Sequence, residues 1–355
     1  MIPLADVLRR HWPAYKEQFG SRLLPSHRAA VQAILSCRTP SLGGQRYRCV
    51  CGREHYAYHS CGHRACPRCG HHDATLWIEK QKARLLPVPY FLVTFTVPEG
   101  LRVVIRAHQK LLYHQLFTQS SGALLDVGLS KLGIELGLLG VLHTWSRQLT
   151  FHPHVHYVVP GGGLSPDGLR WVRIKDDYFL PTKVLALRFK NRLRQQLERA
   201  HQDLLKQVPA TVWRQDWVVG IQPVGSGEAV LKYLSAYVYR TALGAQRIVK
   251  DEHGQITFTY RESESGRTRL STVSAPEFLR RFLQHVLPRG FQRVRYFGWL
   301  SPAAVKRWTR IQTLLDWQPA AAPAKPSPPP PLCPVCQLPM RFIGRLARGP
   351  PRHGP

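Results

Sequence analysis

A chain of 355 residues with 44% hydrophobic content is long enough for one large or two modest domains with a real core, which excludes global disorder. Fifty Lys and Arg against 21 Asp and Glu leave a formal charge of +29, which calls for a polyanionic partner, nucleic acid before membrane. The longest apolar stretch, Leu132 to Leu142, is interrupted by Glu135 and falls short of the roughly 18 residues that span a bilayer. Asp6 and the Arg9-Arg10-His11 cluster break any signal peptide. These features predict a cytoplasmic, nucleoid-associated protein with no membrane partner. In that compartment eight cysteines read as metal ligands rather than disulfides.

Helical periodicity falls on Pro3–Phe19 and His27–Leu35, and Arg46–Ser60 alternates as a hairpin. Around that hairpin lie Cys37, Cys49-Val-Cys51, Cys61 and Cys66-Pro-Arg-Cys69. Two thiolates at the Cys66–Cys69 spacing hold one edge of a tetrahedral zinc. Cys49-x-Cys51 is one residue shorter than the usual partner. A site of Cys49, Cys51, Cys66 and Cys69 leaves Cys61 over, and a second metal could use Cys37 and Cys61, with His63 and His71 as spare donors. Arg46, Arg48, Arg53, Arg64 and Arg68 are expected to face phosphate. Asp73–Leu86 reads as a capped helix closing a zinc- and DNA-binding module over residues 1–86.

From 87 to 300 the pattern changes to mixed strands and helices. Tyr90–Val97 is a strand and Leu101–Thr118 a helix. Gly140–Thr150 and His152–Val159 are strands too close for a crossover and therefore antiparallel. Pro181–Lys206 is a long helix, Trp213–Val224 a strand and Glu228–Arg240 a helix. Short strands at Gln255–Arg261 and Leu270–Val273, a helix at Pro276–Val286 and a strand at Phe291–Trp299 complete the domain. The class is α+β, an antiparallel or mixed sheet carrying helices.

Within this domain His152, His154 and His156 alternate along one strand and so share a face, which suits a divalent metal. Gly161-Gly162-Gly163 follows, either a flexible turn or a place of close approach to phosphate. Tyr233 and Tyr237 are four apart on a predicted helix and share a face there. A metal beside tyrosine hydroxyls suits phosphodiester cleavage through a covalent protein–DNA link, because the cation neutralises charge that develops on the phosphate. Arg293, Arg295 and the run Arg188, Lys190, Arg192, Arg194 are candidate phosphate contacts. After a helix beyond residue 301, a Pro-rich linker ends at 332. Cys333-Pro-Val-Cys336 then supplies half a metal site on a detached, basic tail of residues 333–355.

The strings HPHVHYVVPGGGL, VLHTWSRQL, YLSAYVYRTAL and EFLRRFLQHVLPRGFQRVRYFGWL, with CRTPSLGGQRYRC and HSCGHRACPRC ahead of them, resemble the rolling-circle transposases of the IS91 kind. The resemblance runs in one order over residues 25–300. It implies a zinc-binding module fused to a nuclease domain of the HUH type, with a central antiparallel sheet flanked by helices. It implies His154 and His156 as the metal pair, with Mg²⁺ or Mn²⁺, and Tyr233 and Tyr237 as nucleophiles. The implied reaction nicks and rejoins single-stranded or hairpin DNA at transposon ends and target sites through a 5′-phosphotyrosine. Cys49-x-Cys51 departs from the family's Cys-x-x-Cys, Ala65 replaces a histidine, and Tyr239 stands where a histidine is frequent. A plasmid replication initiator or relaxase shares this chemistry, and a non-catalytic zinc-dependent DNA-binding regulator is the rival from another class.

Overall fold

The computed structural model describes residues 1–69, 81, 85–174, 179–226, 229, 241–244, 246–262, 265–319 and 329–349. Packing divides the chain into two units. The first comprises residues 1–75, 239–286 and 322–355, the second residues 76–238 and 287–321. The linear division at residue 86 is therefore not how the chain packs: residues 239–286 and the C-terminal tail belong with the N-terminal helices.

In the first unit the helices Leu4–Phe19 and Pro25–Ser36 bury Leu4, Val7, Leu8 and Tyr15, and His27, Ala30, Val31 and Ile34. Their apolar positions recur at three- and four-residue intervals, as an amphipathic helix requires. Strands β1 (Gly44–Arg48) and β2 (Glu54–Tyr58) form the predicted hairpin. Strands β9 (Ile248–Glu252), β10 (Gln255–Arg261) and β11 (Thr268–Ser274) form a second antiparallel sheet. The helix Ala275–Leu283 follows and buries Phe278, Leu279, Phe282 and Leu283. Long-range polar contacts account for the recruitment of 239–286. The buried Asp251 takes an ion pair from Arg10 at 2.9 Å and a contact from His11 Nε2 at 2.7 Å, and Ile2 N–H donates to the Ile248 carbonyl at 2.9 Å. A buried carboxylate needs such partners, and these lie 240 residues away in sequence.

The expected detached tail is also corrected. Strand β13 (Arg341–Leu346) pairs antiparallel with β1, giving the order β13-β1-β2. Backbone groups that a free tail would leave to water are satisfied along this edge.

The second unit is built on five antiparallel strands in the order β12-β4-β5-β3-β8: β3 (Tyr90–Thr96), β4 (Gly137–Trp145), β5 (Phe151–Pro160), β8 (Val219–Gly225) and β12 (Val294–Gly298). The short hairpin β6 (Gly162–Leu164) and β7 (Trp171–Arg173) stands apart. Alternate residues divide the central strands between two faces. Phe91, Val93, Phe95, Leu138, Leu142, Val155, Tyr157 and Val159 enter one large core with the helices Glu99–Ala107, Gln109–Leu132 and Thr182–Ala200. The Gln109–Leu132 helix runs about four turns beyond the predicted end at Thr118 and stops at Gly133, which adopts φ +64 and returns its N–H to Leu129. Tyr157 fastens sheet to helix, with its hydroxyl 2.7 Å from Ser120 Oγ and 3.0 Å from the Phe117 carbonyl.

The predicted helix Pro181–Lys206 breaks at His201 into Thr182–Ala200 and Gln202–Gln207. The first part of the predicted strand Trp213–Val224 is instead the end of the helix Ala210–Arg214. Most of Asp73–Leu86 and of Glu228–Arg240, with Tyr233, Tyr237 and Tyr239, lies outside the described residues. No described helix is long and apolar enough to cross a membrane.

Candidate metal and DNA-processing site

The sheet face opposite the core carries the histidines. His143 on β4 lies directly across from His154 on β5, and His156 lies across from Thr94 on β3 and Val141 on β4. The donor atoms of His143, His154 and His156 fall within 4.8 Å of one another. Their ring centroids are 5.4 Å (143–154), 4.8 Å (143–156) and 4.7 Å (154–156) apart.

The third member of the group is thus His143, not His152 as the alternation along β5 had suggested. The reason is distance. A strand advances about 3.3 Å per residue, so same-face residues four apart lie roughly 13 Å from each other and cannot meet at one ion. Cross-strand neighbours sit about 5 Å apart, so the opposite strand supplies the third imidazole. His152 acts on the site differently: its carbonyl accepts from His154 Nδ1 at 2.6 Å.

That bond settles the His154 tautomer, because a carbonyl only accepts. Nδ1 carries the proton and Nε2 carries the lone pair. The Thr94 hydroxyl is 2.9 Å from His156 Nδ1 and orients that ring in the same way. Such outer contacts are what a metal-binding imidazole needs. Burial pushes His154 down to about 4, outweighing the hydrogen bond to the His152 carbonyl, which acts upward, while the charges of His152 and Arg102 add to the fall. Burial likewise holds His156 well below its ordinary value. Both rings are therefore neutral, in the form that binds a cation. Among the described residues the group offers three nitrogen donors, so a divalent ion held there would take its remaining ligands as oxygen from phosphate or water. Trp145 stacks on His143 with centroids 4.7 Å apart.

The glycine run after β5 has a packing explanation. A Cβ on Gly161 would press on the Pro89 carbonyl, one on Gly162 on the Trp171 ring, and one on Gly163 on the Glu135 carbonyl. These are close approaches of the chain to itself rather than to phosphate.

In the first unit Cys37, Cys61, Cys66 and Cys69 converge, with Sγ–Sγ distances of 3.6 Å for Cys37–Cys69 and 3.5 Å for Cys61–Cys69. Zinc–sulfur bonds of about 2.3 Å in a tetrahedron put sulfurs roughly 3.8 Å apart, so the group fits a structural zinc. Donation from the Cys61 thiol pulls Cys66 down to about 5, and burial pushes Cys37 up to about 11. The set predicted from spacing, Cys49, Cys51, Cys66 and Cys69, is not the one that forms. Cys37 at the end of its helix and Cys61 after β2 are nearer to the Cys66–Cys69 knuckle, while Cys49 and Cys51 sit at the other end of the hairpin.

The basic residues divide sharply. Arg46 and Arg48 both pair with Glu54, at 2.6 Å and 2.7 Å, and hold its carboxyl down to about 2. Arg188 and Arg192 pair with Asp126, and Arg194 with Glu198. These arginines neutralise the protein's own acids. Arg64 and Arg68 are exposed beside the zinc group. Arg295 lies over the rings of Phe117 at 4.6 Å and Phe291 at 5.0 Å, with Nη1 2.9 Å from His114 Nδ1. It borders an open groove of about 500 Å³ lined also by Lys110 and Gln292. Arg293, two residues away on the chain, is half-buried.

Two family models match the chain: a "Transposase zinc-binding domain" over residues 7–97 and a "Putative transposase" over residues 137–307. Together with a central antiparallel sheet and a cysteine-rich module, they define a DNA-processing transposase with an N-terminal zinc-binding domain. The chain belongs to the IS91 family of transposases. It is 38% identical over 319 residues to "Putative transposase y4qJ" of Sinorhizobium fredii, covering 84% of this chain and 80% of that protein. It is 28% identical over 308 residues to the "Transposase for insertion sequence element IS801" of Pseudomonas savastanoi pv. phaseolicola, covering 82% of this chain and 73% of that one. No solved structure matches the chain.

Proposed function

We propose that the protein nicks and rejoins single-stranded DNA at transposon ends through a phosphotyrosine intermediate. The observation that carries this reading is the group of His143, His154 and His156, whose donor atoms converge within 4.8 Å. A divalent cation held there, Mg²⁺ or Mn²⁺, would supply neutralisation of the scissile phosphate. Thr94 and the His152 carbonyl hold two of the rings in register, so little reorganisation is needed at the moment of reaction. Tyr233 or Tyr237 attacks phosphorus. The Oη–P bond forms, the P–O3′ bond breaks, the tyrosyl proton is lost, and the departing oxygen is protonated to a free 3′ hydroxyl. The 5′ phosphate stays on the protein until a 3′ hydroxyl reverses the exchange. A second tyrosine four residues on allows a second cleavage while the first link persists.

The test is a denaturing gel of the protein incubated with single-stranded DNA from its element's ends and Mn²⁺. A protein–DNA adduct is expected that disappears with His154→Ala and with Tyr233→Phe/Tyr237→Phe. An adduct that survives both tyrosine replacements refutes the assignment of the nucleophiles.

A further inference from the structure

Four cysteines remain, and they come from opposite ends of the sequence. Cys49 and Cys51 sit in the turn that follows β1, whereas Cys333 and Cys336 precede β13. The pairing of β13 with β1 runs to Arg48 opposite Arg341 and so carries the two cysteine turns together. Sγ of Cys49 is 3.3 Å from that of Cys336, and Sγ of Cys51 is 3.7 Å from that of Cys333. All four sulfurs lie within 4.8 Å of one another.

The turns are built alike. Gly52, directly after Cys51, has φ +83, and Gln337, directly after Cys336, has φ +59. Gly52 N–H donates to the Cys49 carbonyl at 2.9 Å, and Gln337 N–H to the Cys333 carbonyl at 3.0 Å. Cys49 and Cys333 N–H groups close the turns onto the Arg53 and Leu338 carbonyls at 2.8 Å and 2.9 Å. A left-handed glutamine costs about 1 kcal/mol, so this turn is held by something beyond local preference.

Apolar burial is too small to do it. The cluster here consists of Cys49, Cys333 and Met340 with Tyr47 and Cys336 against them. Small elements of this kind rely on a metal for their folding free energy. Arg48 faces Arg341 across the strands, and the carboxylate that pairs with Arg48, Glu54, is shared with Arg46, so a residual repulsion remains there. A tetrathiolate zinc centre carries two negative charges and lies one residue beyond Arg48, where it offsets that repulsion.

We propose that Cys49, Cys51, Cys333 and Cys336 bind a second zinc ion, a centre made by both ends of the chain that locks β13 onto the N-terminal sheet. The zinc-binding family match ends at residue 97 and contains only half of these ligands. The assignment does not depend on the nuclease reading.

The test counts thiolate-held metal in the full-length protein. A thiol-blocking mercurial is expected to release two zinc ions per chain, and eight thiols to titrate after denaturation without reductant. Cys333→Ser/Cys336→Ser is expected to release one zinc ion and to lose hydrogen-exchange protection across residues 341–346. Cys336→His, which exchanges the sulfur donor for a nitrogen donor, is expected to retain two. Cobalt(II) titration of the metal-free wild type checks the count without any variant: thiolate-to-cobalt absorbance is expected to rise to two equivalents. A plateau at one equivalent, two zinc ions retained by the double serine variant, or fewer than eight thiols because disulfides have formed, overturns the proposal.

Discussion

Replacing Thr94 by valine removes one hydroxyl and leaves the shape of the side chain nearly unchanged. That hydroxyl lies 2.9 Å from His156 Nδ1. A metal at Nε2 requires Nδ1 to carry the proton, so in the metal-bound state the ring donates and the threonine oxygen accepts. Losing an outer contact of this kind costs about 10- to 100-fold in metal affinity, roughly 1.4–2.7 kcal/mol. The Thr94→Val protein should therefore bind Mn²⁺ at least about 10-fold more weakly. Quenching of Trp145, which stacks on His143, is the assay. Because the loss falls on metal affinity, DNA nicking should recover towards wild type at saturating Mn²⁺. Thiolate-held zinc should be unchanged. Unaltered Mn²⁺ affinity would refute the coupling of Thr94 to the metal, and nicking that stays low at saturation would place the threonine's role elsewhere.

The low value of His154, about 4 instead of 6.5, sets the sign of a pH effect. Between these two values the unfolded chain takes up a proton that the folded ring refuses, so the contribution is fully present above pH 6.5 and is lost as pH falls towards 4. The melting temperature of the wild type should fall more steeply over that window than that of His154→Gln, measured side by side so that zinc loss cancels. Arg295→Ala should weaken single-stranded DNA binding across sequences and reduce the slope of log affinity against log salt by about 1 in a fluorescence titration. An unchanged slope would make Arg295 a packing residue of Phe117 and Phe291. Gly298 adopts φ +59 with its backbone against the Leu136 carbonyl, so Gly298→Ala should cost more than the roughly 1–2 kcal/mol of a left-handed alanine, read as a lowered urea midpoint. A midpoint equal to wild type would show that β12 can shift to admit a methyl group.

The strand bearing His154 and His156, its antiparallel partner and the Cys66–Cys69 knuckle were legible because their signals are local: alternation, a short connection, a fixed spacing. His143 was within reach as well. A hairpin turning at Ser146–Thr150 places residue 143 opposite 154, but alternation along a single strand drew attention to His152 instead. The thiolate groups needed an arithmetic the spacing obscured. Eight cysteines make two complete tetrahedral sets, and a half site at each end implies that the ends meet. Nothing local announces that residues 239–286 pack with the first helices. Asp251 reads as an ordinary strand carboxylate until Arg10 and His11 are found beside it. The arginines show the same limit, since composition counts Arg46, Arg48 and Arg192 as positive charge available to DNA, whereas the fold spends them on Glu54 and Asp126.

The meeting of Cys49 and Cys51 with Cys333 and Cys336 has a consequence for synthesis. A ribosome delivers the first pair early, and Cys333 emerges 282 residues after Cys51. A product truncated anywhere between them carries two orphan thiols and an uncovered edge on β1, whatever the condition of its catalytic sheet. Synthesis through residue 336 is thus written into the architecture as a chemical condition, and a product that stops short of it would be marked for proteolysis by its own unfinished seam.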